Sequence, residues 1–479
     1  MKAFIHLLLG LGLSTALFAQ EEVEIDVYPP SQIPDRIMLT WETEPHNSQS
    51  VTWRTSTVVE KAYAQICVAT ATPDLADRAV VYKASSTKLV SDQNIALYHS
   101  VNFTELLPNT TYAYRVGDSA VWSEWLHFTT ASEEQAPFSF IYFGDAQNDL
   151  KSRWSRTIRG AYSKMPDADF LLHAGDLVNR PNSDHEWGEW FYAGGWIYGM
   201  MPSIATPGNH EYERGANRTR ILSRHWRPTF RFPQNGPKGL GMEETVFYMD
   251  YQGTRIISLN STIFSFNKEI AEAQVQWLIP LLENNPNDWT IVTMHYPVYS
   301  SKFGRNNPKL RKVLQPIFET YGVDLVLQGH DHTYGRGGEN IPTGTKVQEI
   351  EGPVYVVSVS GPKMYDLSME DWMRRGASNT QLYQLIHVSA DTLRFEAYTT
   401  VDELYDAFEL YKLPNGKTQY LDMTPADVPE LLELPPRYSE DFSETQLDLF
   451  QERYKAYMKK KEKAEEKREA REERPDDRK

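Results

Sequence analysis

The chain has 479 residues, too many for one ordinary domain and suited to two or three. Hydrophobic residues make up 41% and charged residues 24%, the balance of a globular rather than a disordered protein. A formal charge of -16 argues against a general nucleic-acid binder, and the single cysteine, Cys67, excludes an intrachain disulfide and a thiolate metal cluster.

Residues 1–20 read as a secretory signal peptide. Lys2 supplies the positive start, an apolar run follows from Ala3 to Phe18, and acidic Glu21 and Glu22 come after Ala19. No later stretch has the length of a transmembrane helix. The expected destination is therefore secreted or periplasmic, with no membrane span in the mature chain. Residues 30–132 carry short alternating strands, among them Ile37 to Trp41, Ser50 to Arg54, Ala62 to Ile66 and Thr111 to Val116. They predict an all-β sandwich, and Leu106 to Gly117 resembles a fibronectin type III signature.

After Ser132 to Gln135 the pattern changes. Compact apolar strands such as Phe138 to Phe143 and Asp169 to Leu172 alternate with helical segments, including Ala271 to Glu283 and Asn307 to Tyr321. The alternation predicts a layered α/β domain over residues 136–400. A C-terminal extension follows over 401–479. Leu447, Phe450, Tyr454 and Tyr457 have the helical spacing to dock, whereas the charges from Lys459 onward alternate in sign and suit a solvated helix or frayed tail.

Five motifs fall just past predicted strands of the α/β domain: Gly144-Asp145-Ala146-Gln147, Gly175-Asp176, Gly208-Asn209-His210-Glu211, Met294-His295-Tyr296 and Gly329-His330-Asp331-His332. In open α/β sheets, sites assemble at the carboxyl ends of strands. Glycine precedes the polar residue in four of the five, allowing a tight turn. Asp145, Asp176, Asn209, His295, His330 and His332 are hard-to-borderline metal ligands, enough for two adjacent divalent cations sharing a carboxylate. Each motif alone is weak; the ordered set is specific. His173, on a strand, is expected in the core. Trp187 and Trp190 read as packing, with Asp184 and His185 ahead of them as pocket candidates of second rank.

The ordered set resembles the calcineurin-like metallophosphoesterases, and the preceding β-domain makes the purple acid phosphatase branch the best match, over roughly residues 35–400. The resemblance implies an αββα two-sheet sandwich with a dinuclear metal centre. It implies Asp145, Asp176 and His332 on the first metal, and Asp176, Asn209, His295 and His330 on the second, with Asp176 bridging. His210 would be the catalytic residue outside the coordination shell, oriented by Glu211 or standing beside it as a structural acceptor. Tyr334 and Arg336, in a pattern the family also contains, are candidate substrate contacts.

Two positions depart from the pattern. Asn179 stands where the purple enzymes carry the tyrosine whose phenolate binds ferric iron. Gln147 stands where many relatives carry a ligating histidine, and is a weak ligand, a holder of a metal-bound water or a pocket wall. The metals are accordingly expected to be Zn, Mn or Fe, in a divalent or mixed-valence pair. The implied activity is hydrolysis of phosphate monoesters on small molecules or peptides by a metal-bridging hydroxide, with His210 serving the leaving group. A phosphodiesterase or nucleotide hydrolase with the same centre is the alternative. A non-catalytic fibronectin-type binding protein is disfavoured by the completeness of the ligand set.

Overall fold

The computed structural model describes residues 26–472 apart from 217, 218, 343 and 345; the expected leader over residues 1–20 lies outside the described residues. The N-terminal part is a sandwich of two four-stranded antiparallel sheets. One runs in the order Asp35–Thr40, Gln49–Ser56, Ile95–Phe103, Ser85–Val90; the other Val80–Lys83, Tyr63–Val68, Thr111–Gly117, Leu126–Thr129. Trp53, Val101 and Phe103 from the first meet Ile66, Tyr114 and Phe128 from the second, so the period-two apolar pattern is spent on one shared core.

The larger part packs two mixed sheets face to face. The eight-stranded sheet has the parallel strands Ser203–Ala205, Phe170–His173 and Phe138–Phe143 at one end, with Ser203–Ala205 at the edge. The seven-stranded sheet centres on the parallel run Thr254–Leu259, Trp289–Met294, Leu325–Gln328 and Val354–Val357. Adjacent residues of these strands serve opposite faces. Ile256, Ile291, Leu325 and Val356 join Phe140, Phe170 and Leu385 between the sheets. Their neighbours Ile257, Val292, Val326 and Val357 instead meet Leu278, Leu314 and Phe318 of the helices Lys268–Glu283 and Pro308–Thr320. Strands covered on both faces are apolar on both, which is why their centres read as paired hydrophobic residues such as Ile256-Ile257 and Ile291-Val292. The helices Ser155–Lys164 and Asp184–Gly194 contribute Ile158, Ala161, Trp187 and Trp190 to the first core, completing the αββα layering.

The eight-stranded sheet runs past the expected boundary at 400. Leu404–Lys412 pairs with Thr392–Thr399, and Thr418–Asp422 pairs with Leu404–Lys412. The final helix, Glu444–Glu472, does not begin to fray at Lys459. Lys461 pairs with Glu430 and donates to the Arg374 carbonyl at 3.0 Å, while Lys460 meets Asp371 at the surface. Truncation after Met458 is expected to cost about 1 kcal/mol in a denaturant titration, chiefly through the half-exposed Lys461 pair, and to leave turnover unchanged.

The two parts are joined by buried charge. Arg36 of the β-sandwich grips Asp184 at 2.8 and 2.9 Å, and Arg54 reaches it at 3.3 Å. Asp184 opens the helix Asp184–Gly194 and is fully committed to this contact, so it does not line the cleft.

Candidate metal centre

The five motifs leave the ends of parallel strands from both sheets. Asp145 follows Phe138–Phe143, Asp176 follows Phe170–His173 and Asn209 follows Ser203–Ala205; from the other sheet, His295 follows Trp289–Met294 and His330 follows Leu325–Gln328. Only one of the four motif glycines is there for its backbone angle, Gly175 at φ +89°. Close approach explains the other three, Gly144 because a Cβ there would lie 2.0 Å from the Ser358 carbonyl oxygen. A Cβ on Gly208 would lie 2.2 Å from Asp176 Oδ1, and one on Gly329 would lie 2.3 Å from Asp145 Oδ1. Asp176, His330 and His332 themselves adopt left-handed backbone conformations, with φ of 51°, 78° and 50°. Such strain costs about 1–3 kcal/mol per residue and concentrates at functional sites.

Asp176 belongs to two clusters of donor atoms. It lies with His295 and His330 in one, and with Asp145 and His332 in the other, the atoms within each being within 4.8 Å of one another. Backbone carbonyls fix which histidine nitrogens are open. His332 Nδ1 donates to the Lys363 carbonyl at 3.0 Å, leaving the Nε2 lone pair facing Asp145 Oδ2 at 3.1 Å. That carboxylate oxygen is buried and has no hydrogen-bond partner, nor has the nearby Gln147 Oε1. His295 Nδ1 donates to the Ala174 carbonyl at 2.9 Å, and its Nε2 faces Asp176 Oδ2 at 3.2 Å and Asn209 Oδ1 at 3.3 Å. Acceptors converge at both points, and each demands a proton or a cation. The donor set fits two hard-to-borderline cations.

The electrostatics agree. Burial pushes the Asp145 carboxyl up to about 8. Asp176 is equally desolvated, yet His295 and His210 beside it hold it well below the usual carboxylate range. Desolvation works to lower His295, but Asp176 and Asp145 raise it to about 9. His330 and His332 are driven down by burial and by neighbouring cationic groups, which leaves neutral imidazoles.

Gln147 is buried against the Asp145, Asp176 and His332 cluster. Its amide nitrogen lies 3.1 Å from Asp176 Oδ2 and 2.9 Å from His332 Nε2. His210 stands outside both donor clusters. Its backbone N–H donates to Asp176 Oδ1 at 2.8 Å, and its Nδ1 meets the Asn179 carbonyl at 2.6 Å, which turns Nε2 away from that carbonyl. Asn179 is held in turn by Glu186 Oε2, which accepts from its backbone N–H at 2.8 Å. His210, Asn209 and Asn179 line a cleft of about 570 Å³.

Glu211 does not orient His210. It is buried and accepts from the backbone N–H groups of Asp176 at 2.8 Å, Leu177 at 2.9 Å and Gly208 at 2.7 Å, so it clamps two motif loops together. Glu211→Ala would strand these donors and is expected to lower stability by about 3 kcal/mol or more, read as a shifted denaturant midpoint. Glu211→Gln, which keeps an acceptor, should lose less.

Tyr334 and Arg336 are not substrate contacts. Both are fully buried. The Arg336 guanidinium is taken up by Asp406 at 2.6 and 2.9 Å, by Asp422 and by Tyr420, while the Tyr334 hydroxyl donates to Asp406 at 2.5 Å. They tie the strand Tyr334–Gly337 to the far part of the eight-stranded sheet. His173 sits in the core against Phe143, its imidazole driven down to about 3 by burial.

Sequence reasoning missed two supports. Asp331 is buried and accepts from Ser300 Oγ and the Ser301 N–H at 2.7 Å and from Arg305 at 2.6 Å, which fixes the His330–His332 loop. Its place between the two histidines was the available signal. The Tyr296 ring packs 4.1 Å from the His330 ring and limits that imidazole's rotation.

Residues 138–334 match the calcineurin-like phosphoesterase family, and residues 34–130 match the purple acid phosphatase N-terminal domain. Among curated relatives, acid phosphatase type 7 of Homo sapiens is 29% identical over 360 residues, covering 69% of this chain and 74% of that protein. Its Danio rerio counterpart is 28% identical over 277 residues, 51% of this chain and 59% of that protein, so the chain spans little more than half of that relative. Purple acid phosphatase 15 of Arabidopsis thaliana is 26% identical, covering 57% and 55% of the two chains. Among solved structures, the yellow lupin (Lupinus luteus) seed purple acid phosphatase superimposes with a TM-score of 0.66 at 17% identity, over 81% of this chain and 76% of that one. PhoD does so at 0.62 and 12% identity, over 91% and 99%. At these identities the structural likeness speaks to the fold alone.

Proposed function

The chain carries a calcineurin-like phosphoesterase domain behind a purple acid phosphatase N-terminal domain, and from that premise we propose that it is an exported dinuclear-metal hydrolase of phosphate monoesters. The observation that carries the reading is the double membership of Asp176, whose carboxylate serves both donor clusters. In this reading Asp145, Asp176 and His332 hold one cation, with Gln147 beside it; Asp176, Asn209, His295 and His330 hold the other. Two such cations supply Lewis-acid neutralisation of phosphoryl charge and acidify a water for attack.

The chain's own residues do the rest. The Lys363 and Ala174 carbonyls fix the tautomers that aim His332 Nε2 and His295 Nε2 inward. The Asn179 carbonyl holds Nδ1–H of His210, so a proton carried on Nε2 can pass to the leaving oxygen while Nδ1 keeps its own. Glu211 and Asp331 keep the loops from relaxing around buried charge. No Ser or Cys nucleophile is required. Export rests on the leader of residues 1–20; no helix among the described residues is long and apolar enough to cross a membrane.

Elemental analysis combined with turnover of an aryl phosphate monoester tests the reading, with a bis-aryl phosphate diester alongside. Two bound metals and faster cleavage of the monoester are expected. Absence of bound metal and of turnover would sink it, and faster diester cleavage would replace monoesters with diesters as the substrate. The protein is also expected to be colourless, because Asn179 has no phenolate to give ferric iron. An intense visible charge-transfer band would contradict that.

A further inference from the structure

The cleft beside His210 has a wall of unusual charge for so acidic a chain. Arg180, Arg214, Arg220 and Arg224 line it against only Asp92 and Glu213, whereas the whole chain carries -16. Two of the four have partners that fix them: Arg180 pairs with Glu186 at 2.7 Å, and Arg224 donates to the Val90 carbonyl at 2.9 Å. Both carboxylates have roles of their own, Asp92 accepting from the Asp184 N–H at 2.8 Å and Glu213 from Asn182 at 2.9 Å.

Arg214 and Arg220 are the informative pair. They face each other directly across the two-stranded ribbon Tyr212–Arg214 and Arg220–Leu222, so both side chains rise from one face. Like charges in that position repel and destabilise a strand pair. Among the described residues neither guanidinium has a carboxylate within 4 Å to relieve it. The ribbon follows directly on the Asn209–Glu211 turn, placing Arg214 four residues beyond His210. Ring contacts tie Arg220 to the donor clusters: its guanidinium lies 4.6 Å over Phe266, Phe266 is 6.4 Å from Tyr296, and Tyr296 is 4.1 Å from His330. A repelling pair held at the mouth of the centre, without an acid of its own, is built to receive an anion.

We propose that this cleft is a second anion subsite, in which Arg214 and Arg220 hold a phosphoryl group other than the one being cleaved, so that preferred substrates carry two. This rests on the phosphate-ester hydrolase reading above. Guanidinium groups match phosphate in forked geometry, and two of them on one face suit a dianion better than a neutral alcohol.

Steady-state kinetics of the metal-loaded protein test it with an aryl monophosphate, a hexose bisphosphate and a nucleoside diphosphate. The wild type is expected to favour at least one two-phosphoryl substrate. In Arg214→Gln/Arg220→Gln that preference over the aryl ester should fall about tenfold or more, mainly through KM. The single variants should each show part of the drop, which covers a double variant that fails to fold. Preference for the diphosphate assigns the subsite to an anhydride-linked group, and preference for the bisphosphate to a separate ester; either supports the proposal. An unchanged preference, or none in the wild type, overturns it. Calorimetric titration with inorganic pyrophosphate and with inorganic phosphate gives a readout independent of turnover. Pyrophosphate should bind the wild type more tightly, and the double variant should lose that difference. A protein that cleaves no ester yet keeps the difference would fail the hydrolase reading and retain the subsite. One that cleaves esters without either preference would fail the subsite alone.

Discussion

Asp176→Asn is expected to be the most damaging single replacement in the centre, lowering kcat/KM by about 10⁴-fold or more and stripping metal from both positions. The magnitude follows from the several kcal/mol that Lewis-acid stabilisation contributes to phosphoryl transfer, each 1.4 kcal/mol or so being a factor of ten. The position follows from geometry. One carboxylate reaches both donor clusters, so its loss weakens two sites, whereas loss of His332 or His330 weakens one. Asparagine keeps the shape and an oxygen acceptor for the His210 N–H, but it brings an amide and no charge to a point where acceptors already converge. It must also keep the left-handed backbone at this position, which asparagine tolerates better than most residues. Misfolding is therefore a weak explanation for any loss, and elemental analysis of the folded variant decides the matter. Retention of two metals with near-normal turnover would mean that the bridge is assigned to the wrong side chain.

Much of this centre was legible because its residues obey local rules. Asp145, Asp176, His295 and His330 each come just past a continuous apolar strand, and strands of that kind end where α/β sites are built. The glycines were legible as signals but misread in cause: Gly208 and Gly329 are small so that carboxylates can lie against the backbone, a contact between segments far apart in sequence. The same limit hid the partners that face one another only in the fold. Nothing near Glu211 in the chain announces that it accepts from Asp176 and Leu177, more than thirty residues earlier. Arg336 reads as a candidate substrate contact because a buried arginine and an exposed one share a sequence context; its partners Asp406 and Asp422 lie in strands that the expected boundary at 400 leaves outside the domain. Arg214 and Arg220 belong to none of the five motifs, and only the ribbon register sets them face to face.

His210→Ala carries the second large effect, a fall in turnover on the order of 10²–10⁴-fold with metal content unchanged. The residue offers no atom to either donor cluster, so metal content is expected not to depend on it. Its backbone N–H donates to Asp176 Oδ1, and alanine keeps that contact. What alanine removes is an imidazole pinned at Nδ1 by the Asn179 carbonyl, with Nε2 left to serve the cleft. If Nε2 gives its proton to the departing oxygen, the loss must track how badly that oxygen needs one. Nitrophenolate leaves readily as the anion, so nitrophenyl phosphate should lose least; alkyl phosphates, whose alkoxides are far more basic, should lose most. A series of phosphate esters graded by leaving-group pKa would then give a steeper dependence of log kcat/KM in the variant than in the wild type. Parallel lines would identify His210 instead as a hydrogen-bond donor to a non-bridging phosphoryl oxygen, a contact that every ester shares equally. A drop in bound metal would place it among the ligands and undo the division of residues between the two sites.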